Sequence, residues 1–144
     1  YGVGGVHRHT PELLQNFARL GAPNPSVSFT PVLVPTSRGI LATVSAPLAR
    51  PTTPDEAYAA YQAAYADEPF VTLLPRGAWP MTQSIVGSNG VHLQVTVDAA
   101  ANRLVAVCAI DNLTKGTAGG AIQSMNIALG LPETLGLTAI GVAP

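Results

Sequence analysis

The sequence predicts an α+β fold with a mixed or mostly antiparallel sheet, and two observations lead to this prediction. Residues 91–112, VHLQVTVDAAANRLVAVCAIDN, alternate as two strands around a turn at 99–102, which is typical of an antiparallel hairpin. Helical and strand segments do not alternate strictly along the chain, as they would in a parallel α/β protein. We therefore expect helices packed against one sheet within a single domain, residues 1–144.

Three segments predict helices. The first begins with Thr10 as its cap and runs at helical apolar spacing until Gly21 stops it, so that two histidines precede the cap. The second begins at Thr53, with a proline and two acidic residues directly after it. The third covers residues 116–131 despite its glycines. The second helix carries a stripe typical of a packing face, formed by Tyr58, Tyr61 and Tyr65.

The other strands are predicted from β-forming residues bounded by prolines. Residues 24–35 and 38–47 read as two strands joined by a turn at 35–37, and residues 69–74 read as a short strand. A long loop rich in glycine and proline follows at 75–90, and residues 132–144 form a tail.

Composition limits the possible functions. Charged residues make up 10% of the 144 residues and the net charge is −1, so no basic field exists to attract nucleic acid or an anionic membrane. No apolar run approaches the ~18 residues of a membrane span. The single cysteine and the lack of a signal-peptide pattern suit the cytoplasm. Low charge and an opening YGVGGV that reads like the middle of a protein predict a partner domain or a partner subunit.

The segment VHRHTPELLQNF places His7, Arg8 and His9 just before the first helix. An H-x-H pair binds zinc when further ligands converge, but His92 and Cys108 both lie inside predicted strands, so we predict no metal site. A loop histidine beside an arginine and a helix N-terminus suits acid–base work, because its pKa lies near neutrality. A polar helix entrance with no catalytic role is the alternative.

The segment IDNLTKGTAGG contains the only lysine, Lys115, in a turn between a strand and a helix. We expect Asp111 and Asn112 to end a buried strand, and the exposed N–H groups after Lys115 to be able to hold a phosphate. The alternative is a packing joint with small residues for close approach. Cys108 lies in the apolar run LVAVCAI and is interpreted as a core residue rather than a nucleophile.

Several motifs together resemble the C-terminal part of the N-acetyl-gamma-glutamyl-phosphate reductase family, which is related to aspartate-semialdehyde dehydrogenase. They are YGVGGVHRHTPEL, FTPVLVPTSRGILATV, VGSN and AIDNLTKGTAGGAIQSMNIALGLPETLGL. The resemblance implies a glyceraldehyde-3-phosphate-dehydrogenase-like C-terminal domain, a separate N-terminal Rossmann domain that binds NADP, and a homo-oligomer. It also implies NADPH-dependent reduction of an acyl phosphate to a semialdehyde in arginine biosynthesis.

The family's cysteine nucleophile and its dinucleotide fingerprint are both missing from these residues, so the isolated chain is expected to be inactive. Two alternatives stay open: a reductase for aspartyl or carrier-bound aminoadipyl phosphate, and a non-catalytic oligomerisation or binding module. The resemblance implies His9 as the acid–base residue with His7 second, substrate contacts from Arg8, Glu12, Arg38 and Asn89, and cofactor contacts from Asn112, Lys115 and Gly116.

Overall fold

The computed structural model describes residues 1–142, and the chain divides into two compact units, Tyr1–Thr36 and Ser37–Pro144. The last two residues of the predicted tail, 143 and 144, lie outside the described residues.

The first unit contains helix α1, Thr10–Arg19, and its start differs from the prediction. His9, not Thr10, occupies the N-cap, and its side chain makes no capping bond. Thr10 lies inside the helix with a buried hydroxyl that has no hydrogen-bond partner among the described residues. His9 has helical dihedrals, φ −85° and ψ −9°, so the helical geometry begins one residue before the expected cap. The predicted stop at Gly21 is confirmed, because its φ of +88° is left-handed and favours glycine.

The predicted strand at 24–35 is wrong, because these residues form no strand in the structure. Three prolines interrupt the segment, at positions 25, 31 and 35, and each removes a backbone donor that a ladder needs. The β-forming side chains of Val32, Leu33 and Val34 are exposed. Apolar β-branched composition alone therefore does not make a strand where no partner strand pairs with it.

The second unit is built on a four-stranded sheet in the order β1-β4-β3-β2. The β1–β4 and β4–β3 pairs are antiparallel and the β3–β2 pair is parallel, which confirms the predicted mixed sheet. The predicted turn at 99–102 is also confirmed, with Asn102 in the left-handed region at φ 52°. The strands are β1 (Ile40–Pro47), β2 (Val71–Leu73), β3 (Val91–Asp98) and β4 (Arg103–Ile110).

Helix α2, Pro54–Ala64, begins as predicted. The Thr53 hydroxyl accepts from the backbone N–H of Glu56, and the Glu56 carboxylate accepts from the backbone N–H of Thr53, which completes a capping box. The tyrosine stripe is a packing face at its first two positions. Tyr58 and Tyr61 are half-buried, and the Tyr58 hydroxyl donates to the Leu74 carbonyl over 3.2 Å.

Helix α3, Gly119–Ala128, follows a π-helical turn at Thr114–Ala118. It therefore lies within the predicted range of 116–131. Its stripe of Ile122, Met125 and Leu129 is exposed, as are the large side chains of β1. Among residues 1–142, no helix has the length and apolar character needed to cross a membrane.

The buried apolar core is small and comprises Ala57, Phe70, Ile85, Leu93, Val95, Ala109 and Leu137.

Candidate active site

The first unit brings two predicted site residues, His7 and His9, into contact. The backbone N–H of His9 donates to Nδ1 of His7 over 3.2 Å, and the two rings lie edge to face with centroids 4.9 Å apart. The His7 ring also contacts Phe29, at 5.1 Å between centroids. Because Nδ1 of His7 accepts a hydrogen bond, the neutral ring carries its proton on Nε2.

Charge and partial burial favour the neutral form of His7. Partial burial, followed by the positive charges of His9 and Arg8, lowers the pKa of His7 below its ordinary value. The side chains of Arg8 and Glu12 are exposed, and neither makes an ion pair within the described residues. The His9 side chain is also exposed and accepts or donates no hydrogen bond within that part of the chain. The first unit thus contains two different imidazoles. The ring of His7 is held by a hydrogen bond, whereas the ring of His9 is exposed and has no hydrogen-bond partner among residues 1–142.

The second unit is organised around Asp111, which directly follows β4 and is 0% exposed. Its Oδ1 accepts the backbone N–H groups of Leu113 and Thr114 over 2.8 and 2.7 Å, and its Oδ2 accepts that of Gly87 over 2.6 Å. Burial raises the pKa of Asp111, but these hydrogen bonds and the Arg38 guanidinium outweigh it and lower the pKa to about 2. The carboxylate is therefore ionised at neutral pH.

Arg38, a predicted substrate-binding residue, is held by this carboxylate. Its Nε lies 2.7 Å from Oδ2 of Asp111, and its Nη2 donates to the Thr114 hydroxyl over 3.2 Å. The side chain is 34% exposed, so part of it remains open to solvent. This arrangement fixes a cation in one orientation where β4 ends and the π-helical turn begins.

Asn112 and Gly116, two predicted cofactor contacts, make backbone hydrogen bonds in the same place. The Asn112 side-chain oxygen accepts the backbone N–H of Gly39 over 2.7 Å. Gly116 donates its backbone N–H to the carbonyl of Asp111 over 2.9 Å. Gly39 has φ 102°, which favours glycine, so this residue permits the tight approach just before β1.

Lys115, the third predicted cofactor contact, points to the side chain of Gln123. Its Nζ donates to Oε1 of Gln123 over 2.6 Å and lies 5.2 Å from the centroid of the Phe70 ring. Asn89 donates to the same Gln123 oxygen over 3.1 Å, and Gln123 in turn donates to Glu133 over 2.6 Å. Lys115 is therefore half-buried in a polar network rather than fully exposed to solvent.

Several backbone donors of this turn are paired, although exposed N–H groups were expected after Lys115. Those of Leu113 and Thr114 bond to the Asp111 carboxylate, and that of Ala118 bonds to the Leu113 carbonyl over 3.0 Å. The aspartate and the π-helical turn satisfy donors that a normal helix start leaves open. The turn therefore has fewer free backbone donors to hold an anion than a normal helix start has.

Small residues allow the close packing that the alternative interpretation of this turn predicted. A Cβ built on Gly119 would collide with Oδ1 of Asn89 and would lie 2.9 Å from the carbonyl oxygen of Thr114. Asn89 itself is 1% exposed, and its Oδ1 has no hydrogen-bond partner among the described residues. The predicted substrate contact Asn89 therefore lies in the interior, against α3.

Cys108 lies within β4 and is half-buried, and burial raises the pKa of its thiol. Its register partners are Ala42 and Leu93, so it lies in an apolar row across three strands. This environment fits its interpretation as a core residue. Within residues 1–142, no three His, Cys, Asp or Glu side chains converge as metal ligands.

Sequence reasoning missed the central role of Asp111 and did not single out Gln123 or Glu133. The signal for Asp111 was an aspartate placed directly after the apolar run LVAVCAI. An ionised side chain at the end of such a strand is costly to bury unless donors converge on it. No comparable signal marks Gln123 or Glu133, which lie on or just after a helix.

The fold and these sites define a class of protein, and comparison with known proteins agrees with it. Residues 1–112 match the family "Semialdehyde dehydrogenase, dimerisation domain", and the chain belongs to this family. The aspartate semialdehyde dehydrogenase II of Vibrio cholerae has the same fold over 67% of this chain and 29% of its own, with a TM-score of 0.55 and 18% identity. The α+β prediction, with a glyceraldehyde-3-phosphate-dehydrogenase-like C-terminal domain, is thereby confirmed.

Curated relatives are more specific. The chain is 64% identical over 144 residues to the N-acetyl-gamma-glutamyl-phosphate reductase of Streptomyces avermitilis. It is 65% identical over the same length to the enzyme of that name from Thermobifida fusca. In both cases the match covers 100% of this chain and 42% of the relative, so the chain spans less than half the length of these relatives. The family resemblance read from the motifs is confirmed.

Proposed function

We propose that this chain is the substrate-binding domain of an NADP-dependent N-acetyl-gamma-glutamyl-phosphate reductase, which acts in arginine biosynthesis in the cytoplasm. The reaction converts N-acetyl-glutamyl 5-phosphate to the 5-semialdehyde and inorganic phosphate. The observation that carries this proposal is the identity of 57–65% to relatives of that name along the whole chain, with no portion unmatched.

His9 is the proposed acid–base residue. Reduction of an acyl phosphate through a thiol requires a proton to be taken from the attacking thiol and later returned. The exposed side chain of His9 is uncommitted, whereas His7 is wedged beside Phe29 with its Nδ1 occupied. His7 then orients the loop through its bond to the His9 backbone and stands second as the acid–base candidate.

Arg38 is the proposed main contact to the anionic groups of the substrate, with Arg8 and Glu12 as further contacts. A guanidinium matches the oxygens of a carboxylate or an acyl phosphate with its forked donors. Arg38 is oriented by two partners and remains partly exposed, which supports this role. Asn89 is left out of the direct contacts because its side chain is 1% exposed.

The cofactor of the proposed reaction is NADPH, which supplies a hydride when bound. The residues in hand fit a contact from the Lys115 ammonium, since it lies on a turn next to the oriented Arg38. They fit a phosphate cradle poorly, because the backbone donors of Leu113, Thr114, Gly116 and Ala118 are already paired. We therefore assign the main cofactor site to a Rossmann domain preceding this chain, with Lys115 as an accessory contact and Asn112 and Gly116 shaping the turn.

A homo-oligomer is the proposed assembly. The matched family is described as a dimerisation domain. The sheet edge strand β1 leaves Ile40, Leu41 and Val44 exposed, which is typical of a surface that another subunit or domain covers. Size measurement of the full-length protein by light scattering tests this assembly.

The proposed activity is tested by following NADPH oxidation by the full-length protein with N-acetyl-glutamyl phosphate. Aspartyl phosphate and carrier-bound aminoadipyl phosphate are the competing substrates, and the proposal requires a clear preference in kcat/KM for the acetylated one. Equal or better use of another acyl phosphate would change the substrate, and no turnover with any of them would favour a non-catalytic binding module.

A further inference from the structure

The Asp111 carboxylate accepts three backbone N–H groups and forms an ion pair with the Arg38 guanidinium, so it joins three separate parts of the second unit. The backbone of Gly87 comes from the long loop, that of Leu113 and Thr114 from the turn after β4, and the Arg38 guanidinium from the segment before β1. Full burial makes each of these contacts strong, because charge-assisted bonds gain strength as water is excluded.

We propose that Asp111 is a positioning residue that holds the Arg38 guanidinium in the orientation needed to bind an anionic group of the substrate. This inference rests on the proposed function, since it deepens the role given there to Arg38. The substrate group is a carboxylate or an acyl phosphate, the two anions that a planar, forked donor recognises.

The geometry leaves the guanidinium able to bind. A guanidinium has five N–H donors, and here one on Nε faces Asp111 and one on Nη2 is used by Thr114. The remaining donors are on Nη1 and Nη2, on the edge away from the aspartate. Because 34% of the Arg38 side chain is exposed, we expect an anion to reach these donors while the contacts to Asp111 and Thr114 stay in place.

The charge balance also favours binding over simple pairing. Asp111 is stabilised by three backbone N–H groups besides Arg38, so its negative charge is spread over several partners. The guanidinium is therefore not fully neutralised by its partner and keeps an attraction for an anion. The low pKa of Asp111 keeps this arrangement ionised across the physiological range.

The alternative is that Arg38 only compensates a buried charge. That structural role predicts loss of thermal stability when either residue is changed, with unaltered substrate affinity. The positioning role predicts a change in KM for the acyl phosphate that the KM for NADPH does not share. The two roles therefore differ in a measurement other than stability.

The test uses the full-length protein with Arg38→Lys, Asp111→Asn and the double variant. Each single change should raise the KM for N-acetyl-glutamyl phosphate by ~10- to 100-fold, the loss expected for a charge-assisted contact, with the KM for NADPH unchanged. The double variant should have a substrate KM no higher than that of Arg38→Lys alone, because Asp111 acts through Arg38.

Thr114→Val removes the second guanidinium contact but keeps the carboxylate, and should raise the same KM by several-fold. Arg50→Lys, at an exposed arginine paired with Glu56, is the matched control and should leave both KM values as they are.

Separate outcomes distinguish the two proposals. An unchanged substrate KM in Arg38→Lys and Thr114→Val would overturn the positioning role. The same holds if the rise in substrate KM of the double variant equals the product of the rises in the two single variants. If Asp111→Asn does not fold, Asp111→Glu takes its place, because it keeps the charge and displaces the carboxylate by one methylene; an unchanged substrate KM in that variant would also overturn the positioning role. Calorimetric titration with N-acetylglutamate and inorganic phosphate is independent of turnover. Binding that depends on Arg38 and Asp111 in a protein without reductase activity would keep the positioning role and reject the proposed reaction.

Discussion

The Lys115 ammonium lies 2.6 Å from the side-chain oxygen of Gln123 and faces the ring of Phe70, so it bridges the π-helical turn, α3 and the segment before β2. A lysine that serves only to attract a distant cofactor would need none of these contacts. Its half-buried position gives it a packing role in addition to any contact with a ligand.

The first prediction separates these two roles of Lys115. In the full-length protein, Lys115→Met keeps the apolar stem over Phe70 but removes the charge. We expect the KM for NADPH to rise several-fold and the free energy of unfolding to fall by about 1 kcal/mol, since one charge-assisted bond is lost. Steady-state kinetics and chemical denaturation measure the two quantities.

Phe70→Leu is the matched control for that experiment. It removes the ring beneath the ammonium and leaves the charge, so it should lower stability while the KM for NADPH stays constant. If Lys115→Met loses stability but keeps its affinity for NADPH, Lys115 has only a packing role. The cofactor would then be bound entirely by the N-terminal part of the full-length protein.

The second prediction concerns the acid sensitivity that Asp111 confers. Its pKa is about 2 in the folded protein, below the ordinary 3.8, so the unfolded state binds the proton more readily. The stabilisation is complete above about pH 5 and is lost as the pH falls from about 4 towards 2. Thermal unfolding of the full-length protein between pH 5 and pH 2.5 should show this decline.

Asp111→Asn supplies the comparison, because it cannot ionise. It should lower the melting temperature at pH 7, by an amount equivalent to roughly 3 kcal/mol for an unpaired Arg38 and weakened backbone contacts. It should also flatten the dependence on pH below about 4, while Asp98→Asn, at the exposed hairpin turn, should leave that slope intact. Parallel curves for the wild type and Asp111→Asn would assign the acid sensitivity to other carboxylates.

The elements with strong local signals could be predicted from the sequence. The capping box at Thr53 and the alternating hairpin of β3 and β4 specify their own structure, because local hydrogen bonds and a period of two decide them. Residues 24–35 have the same β-forming composition, yet they form no strand. A strand depends on a partner ladder elsewhere in the chain, and composition does not reveal whether one exists.

The candidate site divides in the same way. The motifs singled out Arg38 and the turn at Lys115 as site residues, but they gave no indication that Asp111 contacts both the guanidinium and the backbone donors of that turn. That role depends on residues at 38, 87 and 113–114 meeting through the fold. The predicted N-cap, Thr10, differs from the observed one, His9, for a local reason. His9 itself adopts helical dihedrals, and the Thr10 side chain is buried.

The third prediction distinguishes the two histidines. In the full-length protein, His9→Asn should lower kcat by ~10²- to 10⁴-fold with little change in substrate KM, since acid–base assistance acts in the transition state. His7→Asn should have a smaller effect on kcat, because its Nδ1 holds the His9 backbone and asparagine can accept the same bond. Near wild-type kcat in His9→Asn at every pH, together with a large loss in His7→Asn, would exchange the two roles.

The last prediction concerns the 144 residues on their own. They should show no acyl-phosphate-dependent oxidation of NADPH, because the one cysteine, Cys108, is half-buried in β4 and burial raises its pKa. A thiol that stays protonated at neutral pH and lies in a strand does not attack an acyl phosphate. Tight NADP binding should also be absent, since the dinucleotide fingerprint is missing from these residues and most backbone donors around Lys115 are already paired. The measurement is absorbance at the NADPH band with and without acyl phosphate, beside the full-length protein as positive control.

Circular dichroism of the same sample must show helix and sheet, so that inactivity is not caused by an unfolded chain. Turnover that disappears in Cys108→Ser would instead make Cys108 the nucleophile.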